Sequence, residues 1–228
     1  MQVTPIRERV IAQLRNVAEE LAQAVADGLG LETLPEPLPF ALMKAPKPEV
    51  TASPALSLFA RPGTDGLMTR RIAILVADGV EAEAATSIHQ LLSDQEAVPR
   101  FVGIKLGQVA STSGDPIDIE ISLETGPSVL WDGVVVPDGE RATKILSASG
   151  HALEFLKDQY RHCKTILALG SAAALLDRAG LPQKLTTGEP DPGLLKHGGG
   201  DVEEAVETFS AALTEHRHYE RETDPPMV

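Results

Sequence analysis

The apolar positions change period along the chain. Between Pro5 and Leu31, the residues Val10, Leu14, Val17, Leu21 and Val25 recur at spacings of three and four, which lays one apolar stripe along a helix. Ala18, Ala22, Ala24 and Ala26 raise its helix propensity, and Gly28 and Gly30 supply its stop. The stripe has no obvious partner close in sequence, so this helix is expected to dock on another body. From Glu32 to Thr69 the periodicity stops. Pro35, Pro37, Pro39, Pro46, Pro48 and Pro54 favour extended chain. Leu38, Phe40, Leu42, Leu56, Leu58 and Phe59 are too many apolar side chains for a free linker, so the segment reads as an ordered strap on a surface, with disorder in isolation as the competing reading.

From Arg70 to about His216, apolar runs alternate with helical patterns. RRIAILVADG (70–79), RFVGI (100–104), GVVVPDG (133–139) and TILALG (165–170) are runs of the kind that suits strands buried on both faces. Helices are predicted at about Glu81–Ser93, with Ile88, Leu91 and Leu92 inward, and at Arg141–Ala148, His151–Tyr160 and Ser171–Ala179. A last helix, Val202–Leu213, carries Val202, Ala205, Val206, Phe209 and Leu213 on one side. Gly114, Asp115 and Pro116 supply the turn of a short hairpin between Val109 and Ile121. This alternation predicts an α/β fold: a flavodoxin-like, doubly wound parallel sheet, preceded by a helix and a Pro-rich strap. The expected organisation is a terminal helix (1–31), the strap (32–69), the sheet domain (70–216) and a polar, frayed tail (217–228).

Composition adds limits. Of 228 residues, 43% are hydrophobic and 23% charged, which is ordinary for a globular chain, and no apolar run approaches the roughly 20 residues of a membrane span. The start, MQVTPIRERV, does not read as a secretory signal, and a cytoplasmic location is expected. A net charge of −13 repels phosphate backbones, so no nucleic-acid partner is expected. With Cys163 as the sole cysteine there is no internal disulfide and no cysteine-rich metal cage; it precedes a strand and reads as a buried structural thiol.

Chemistry in such a sheet belongs at the strand carboxyl ends. There the loops Asp78-Gly79, Pro137-Asp138-Gly139 and Gly170-Ser171 should converge. Ser171 could be a nucleophile, working with Glu81 or Glu83, or simply a helix N-cap. Asp138 and Glu140 could hold a polar ligand or cap the helix that follows. KHGGGD (196–201) has the look of an oxyanion-hole loop but precedes the last helix, which favours a turn with Asp201 as N-cap. His216 and His218 could touch a metal, although solvated tail residues are the favoured reading. The spacing GxGxxG is absent, which speaks against dinucleotide phosphates.

The stretches AILVADGVEAEA, DGVVVPDGERA and TILALGSAAALL resemble the class I glutamine-amidotransferase-like group that contains the DJ-1 and PfpI proteins. In that group a strand ends in a sharp elbow carrying a cysteine nucleophile, usually followed by His, with an acid near the first strand. The match puts Gly170 at the cysteine position, Ser171 at the His position and Ala84 near the acid position, with Glu81 and Glu83 close by. The elbow is kept and the nucleophile is gone.

A second resemblance covers nearly the whole chain. RERVIAQLRNVAEELAQAVADGLGL, a Pro-rich strap, SPALSLFARPGTDGLMTRRIAILVADGVE and this degenerate domain look like the C-terminal region of a large-subunit (clade 2) haem catalase. The resemblance implies a non-catalytic structural and interaction domain, whose parent disproportionates hydrogen peroxide on haem. It also implies docking on the haem-bearing portion and on sister subunits of a homotetramer. No catalytic, cofactor-binding or metal-ligating residue is then expected here; the only tyrosines, Tyr160 and Tyr219, lie outside any haem-ligating motif. Two alternatives remain open, a DJ-1/PfpI-type hydrolase using Ser171 and a small-ligand or flavin-binding module.

Overall fold

A computed structural model describes residues 3–39, 50, 53–56 and 66–221. They fall into two compact units divided between Arg61 and Pro62.

In the first unit the expected single helix is two. Helix α1 (Thr4–Leu14) and helix α2 (Glu19–Gly28) are separated by a short break and pack on one another. The break falls at Asn16, whose side chain donates to the carbonyl of Leu38 (2.7 Å). Next to it, Arg15 binds both the carbonyl of Pro35 (2.6 Å) and Glu19 at the head of α2 (2.8 Å). Both polar side chains thus tie the turn to the start of the strap, which the amide of Leu38 extends by donating to Ala12. The helices find their partner locally: Ile11, Ala22 and Ala26 are buried together, with Leu14, Val25, Leu29, Leu31 and Leu34 against them. The predicted stripe is only half right, because Val17 and Leu21 stay exposed, Val17 at 74%. Of the strap's apolar residues, Phe40, Leu42, Leu58 and Phe59 lie outside the described residues.

The second unit is the doubly wound α/β domain. Its sheet contains β1 (Arg71–Leu75), β2 (Val98–Gly103), β5 (Ile121–Ser122), β6 (Gly133–Val136), β7 (Thr165–Leu169) and β8 (Leu194–His197), in the order β5-β2-β1-β6-β7-β8. Every pairing is parallel. Strands β6 and β7 are buried at every position, and β1 at all but Arg71, as continuous apolar runs require of strands covered on both faces. Between β2 and β5 the chain forms the expected hairpin, β3 (Gly107–Ala110) with β4 (Pro116–Ile119).

Helices α3 (Ala82–Asp94) and α7 (Val202–Thr214) pack together, as do α4 (Glu140–Ser147), α5 (Gly150–Arg161) and α6 (Ala173–Arg178). The first pair buries Ala85, Ile88 and Leu92 of α3 and Ala205, Val206, Phe209 and Leu213 of α7, at the three-and-four spacing of one helix face. Strand β8 is an addition to the sequence reading. It is a short edge strand with no fully buried position, so it lacks the apolar run that betrays the inner strands.

Candidate functional site

Strand order reverses between β1 and β6, and in open α/β sheets ligands settle in the crevice outside that point. The three predicted loops do meet there, since β1, β6 and β7 are neighbours. They are in direct contact with one another. Gly139 has φ +144°, and a Cβ on it would overlap the carbonyl oxygen of Gly79 and stand 2.9 Å from the Cα of Val80. The amide of Glu81 donates to the carbonyl of Asp138 (3.0 Å), joining the first and second loops.

At the end of β7 the chain turns at Gly170, φ +51°, into a short 3-10 turn and then α6. A left-handed φ at this point is the mark of an elbow, and glycine adopts it without penalty. The space beside it is taken by the side chain of Asp138. A Cβ on Gly170 would overlap the Asp138 carboxylate and stand 2.7 Å from its Oδ1. That Oδ1 accepts three hydrogen bonds, from Ser171 Oγ (2.6 Å), Ser171 N (2.9 Å) and Gly139 N (2.7 Å). Burial alone would raise the Asp138 pKa. The hydrogen bonds from the Ser171 hydroxyl and from the Ser171 and Gly139 amides outweigh it and hold the carboxyl below its ordinary range.

This geometry assigns roles that sequence left open. Asp138 does not cap the helix after it; α4 has no side-chain cap, and the carboxylate bridges two loops instead. Ser171 is not a side-chain N-cap either, because its hydroxyl is spent on Asp138, with Thr143 Oγ1 at 3.3 Å. A serine nucleophile needs a base that will take its proton, and a carboxylate with a lowered pKa and three donors on one oxygen is a poor one. None of the hydrogen bonds that reach Ser171 comes from a histidine. Ala84 is half-buried on α3, while Glu81 and Glu83 are exposed. These three residues line one wall of an open groove of about 690 Å³, with Gly199, Gly200, Asp201 and Glu203 opposite. The acidic walls disfavour phosphate. Among the described residues no group of three or more His, Cys, Asp or Glu is placed to hold a metal.

KHGGGD splits between two tasks. Lys196 and His197 end strand β8, and Asp201 caps α7 by accepting from the amide of Glu204 (3.0 Å). Between them Gly199 lies against the elbow, where a Cβ would be 3.1 Å from Asp138 Oδ2 and 3.5 Å from the Cα of Gly170. Cys163 is buried, as expected of a structural thiol.

The opposite end of β7 holds a second polar cluster that sequence reasoning missed. The tail was expected to fray, yet His218 and Arg221 are buried. Arg221 forms a two-pronged pair with Asp191 (2.6 and 2.8 Å), both side chains fully buried. The same guanidinium donates to the carbonyl of Lys164 (2.6 Å) and lies 4.7 Å over the ring of Tyr160. His218 Nε2 meets Thr165 Oγ1 at 3.0 Å. Burial, then the neighbouring Arg221 charge, pushes the His218 pKa down to about 4. Lys164, whose Nζ donates to the carbonyl of Ser128 (2.6 Å), is pushed down to about 8, first by burial and then by Arg217. The reading of His218 as a solvated tail residue is therefore corrected. No sequence pattern flags a pair 30 residues apart. Tyr160 does not fit haem ligation, because its side chain is buried and its ring lies beneath the Arg221 guanidinium.

Comparison with known proteins extends these observations. The chain is 36% identical to catalase HPII of Pseudomonas putida, over 98% of this chain and 29% of that protein. It is likewise 36% identical to catalase HPII of Mycobacterium avium, over 98% of this chain and 32% of that protein. It therefore spans about a third of the length of these relatives. Among solved structures, oxidized DJ-1 of Toxoplasma gondii superposes with a TM-score of 0.55 at 15% identity, covering 65% of this chain and 96% of the other. That likeness establishes the shared fold and no more. A family model, described as the C-terminal domain found in long catalases, matches residues 68–223. With this match across most of its length and 36% identity to long catalases, the chain belongs to the family of C-terminal domains of long catalases.

Proposed function

We propose that this chain is the non-catalytic C-terminal portion of a large-subunit haem catalase, and that it works as a structural and interaction module. The observation that carries the non-catalytic reading is the elbow: the space beside Gly170 is occupied by the Asp138 carboxylate, and the group that takes the Ser171 hydroxyl hydrogen bond is that same carboxylate, a poor base. Haem and peroxide chemistry then belong to the rest of the parent polypeptide.

The partners proposed are the haem-bearing portion and sister subunits of a homotetramer. In support, the first unit leaves Ile6, Val17 and Leu21 exposed on a small helix pair, and apolar surface of that kind favours cover by another protein body. No helix among the described residues is long and apolar enough to cross a membrane. The net charge of −13 supports the absence of a nucleic-acid partner, and we place the parent in the cytoplasm.

The test is reconstitution. The purified chain, incubated with haemin, is expected to show no protein-bound Soret band and to release oxygen from peroxide no faster than free haemin. A Soret band that survives gel filtration, with oxygen release well above that of haemin, would overturn the reading.

A further inference from the structure

We propose that the elbow is a carboxylate-binding site whose permanent occupant is the chain's own Asp138, and that Gly170 is glycine because the carboxylate stands where its side chain would be. The inference rests on two features of one place. First, three donors from two loops converge on a single oxygen: the amides of Gly139 and Ser171 and the hydroxyl of Ser171, all within 2.9 Å of Asp138 Oδ1. Such convergent donors in a part-buried pocket select a small anion, because one oxygen carrying full or shared negative charge satisfies all three at once. Second, room for that anion exists only because position 170 has no side chain: a Cβ there would overlap Asp138 Oδ2 and Cγ.

The two features are reciprocal. A Cβ at 170 and the Asp138 carboxylate in its present position compete for the same space, so a side chain at 170 requires Asp138 to move. Gly199 closes the pocket from a third loop, with space for a Cβ only 3.1 Å from Asp138 Oδ2. The ligand class follows from the occupant: a carboxylate no larger than formate would fill the space that truncation of Asp138 leaves. The proposal concerns this chain's own residues and holds whichever polypeptide the chain belongs to.

Two arms on the full 228-residue chain test it. The first is a double-mutant cycle in thermal unfolding with Gly170→Ala and Asp138→Gly. Strain from the positive φ at 170 is common to both backgrounds and cancels, which leaves the overlap with the carboxylate. Gly170→Ala is expected to lower Tm, or abolish folding, with Asp138 present, and to cost less in the Asp138→Gly background. An equal loss in both backgrounds overturns the proposal. The second arm titrates formate against chloride at matched ionic strength. Asp138→Gly should be stabilised saturably by formate, the folded-to-unfolded ratio rising about elevenfold when formate is at about ten times its dissociation constant. Wild type and Asp138→Asn, whose sites stay filled, should respond to formate no more than to chloride. Formate stabilisation of Asp138→Gly that merely matches chloride, or that wild type shares, overturns the proposal.

Discussion

The two ends of strand β7 each hold a polar cluster around an aspartate, half-buried at one end and fully buried at the other, and they do so by opposite means. At the carboxyl end, Asp138 is held by two backbone amides and a hydroxyl, with no cation among its hydrogen-bond donors. At the amino end, Asp191 is held by a two-pronged guanidinium in a fully buried ion pair. Backbone donors at strand ends are fixed by the fold, so the carboxyl end presents the donor geometry of an anion site. The buried pair depends on two side chains that could have been otherwise. It pins the residues after α7 onto the sheet, because Arg221 also takes the carbonyl of Lys164 just before β7.

That contrast predicts unequal costs. Asp191→Ala leaves the Arg221 guanidinium buried without its partner and is expected to cost about 3–5 kcal/mol. Asp138→Ala removes the acceptor of neutral donors at a half-buried site, and is expected to cost about 1–2 kcal/mol. Urea unfolding of both variants measures the difference. If the two losses are alike, the ion pair is not what holds the amino end.

The two ends also respond to pH over different ranges. His218 sits against Thr165 and the backbone of Gly193, near Asp191, Arg221, Glu220 and Arg217. Its folded pKa is about 4, whereas an unfolded histidine takes its proton near 6.5. The folded state therefore binds fewer protons between those values. The contribution of the neutral ring is complete above about pH 6.5 and is lost as pH falls toward 4, by up to about 3 kcal/mol. Asp138 has a lowered folded pKa, so its contribution is present above the ordinary carboxyl range and is lost only at still lower pH. Unfolding midpoints of wild type and His218→Gln, taken from pH 7 down to pH 4.5, separate the two. The slope over that window should flatten in His218→Gln, and an unchanged slope would show that the buried ring is not its source.

The smallest expected effect is Ser171→Ala. It removes one of three donors to Asp138 and should cost about 1 kcal/mol, with no hydrolytic activity to lose. A fluorophosphonate probe that labels wild type and not this variant would revive the serine-enzyme alternative.

What could be read in the sequence follows physical lines. Strands β1, β6 and β7 are apolar runs because both their faces are covered, and Gly170 stands out as a strand-end glycine, read as an elbow only through the resemblance. Strand β8 at the sheet edge has no such run. The helix break at Asn16 is hidden because Val10, Leu14, Val17, Leu21 and Val25 keep the three-and-four spacing straight through it in the sequence, although Val17 and Leu21 are exposed in the structure. Asp138 could be seen as a polar residue at a strand end, but only the three-dimensional neighbourhood shows that it fills the space beside Gly170. The burial of His218 and Arg221 depends on Asp191, and nothing local to the tail marks it.

The central claim, that this domain is one end of a haem catalase polypeptide, is tested most directly in the cell that makes it. Antibody raised against the purified chain should capture, from a native extract, a polypeptide roughly three times its length. That polypeptide should carry a Soret band and release oxygen from hydrogen peroxide. Capture of a free-standing 24.2 kDa chain without haem would contradict the account.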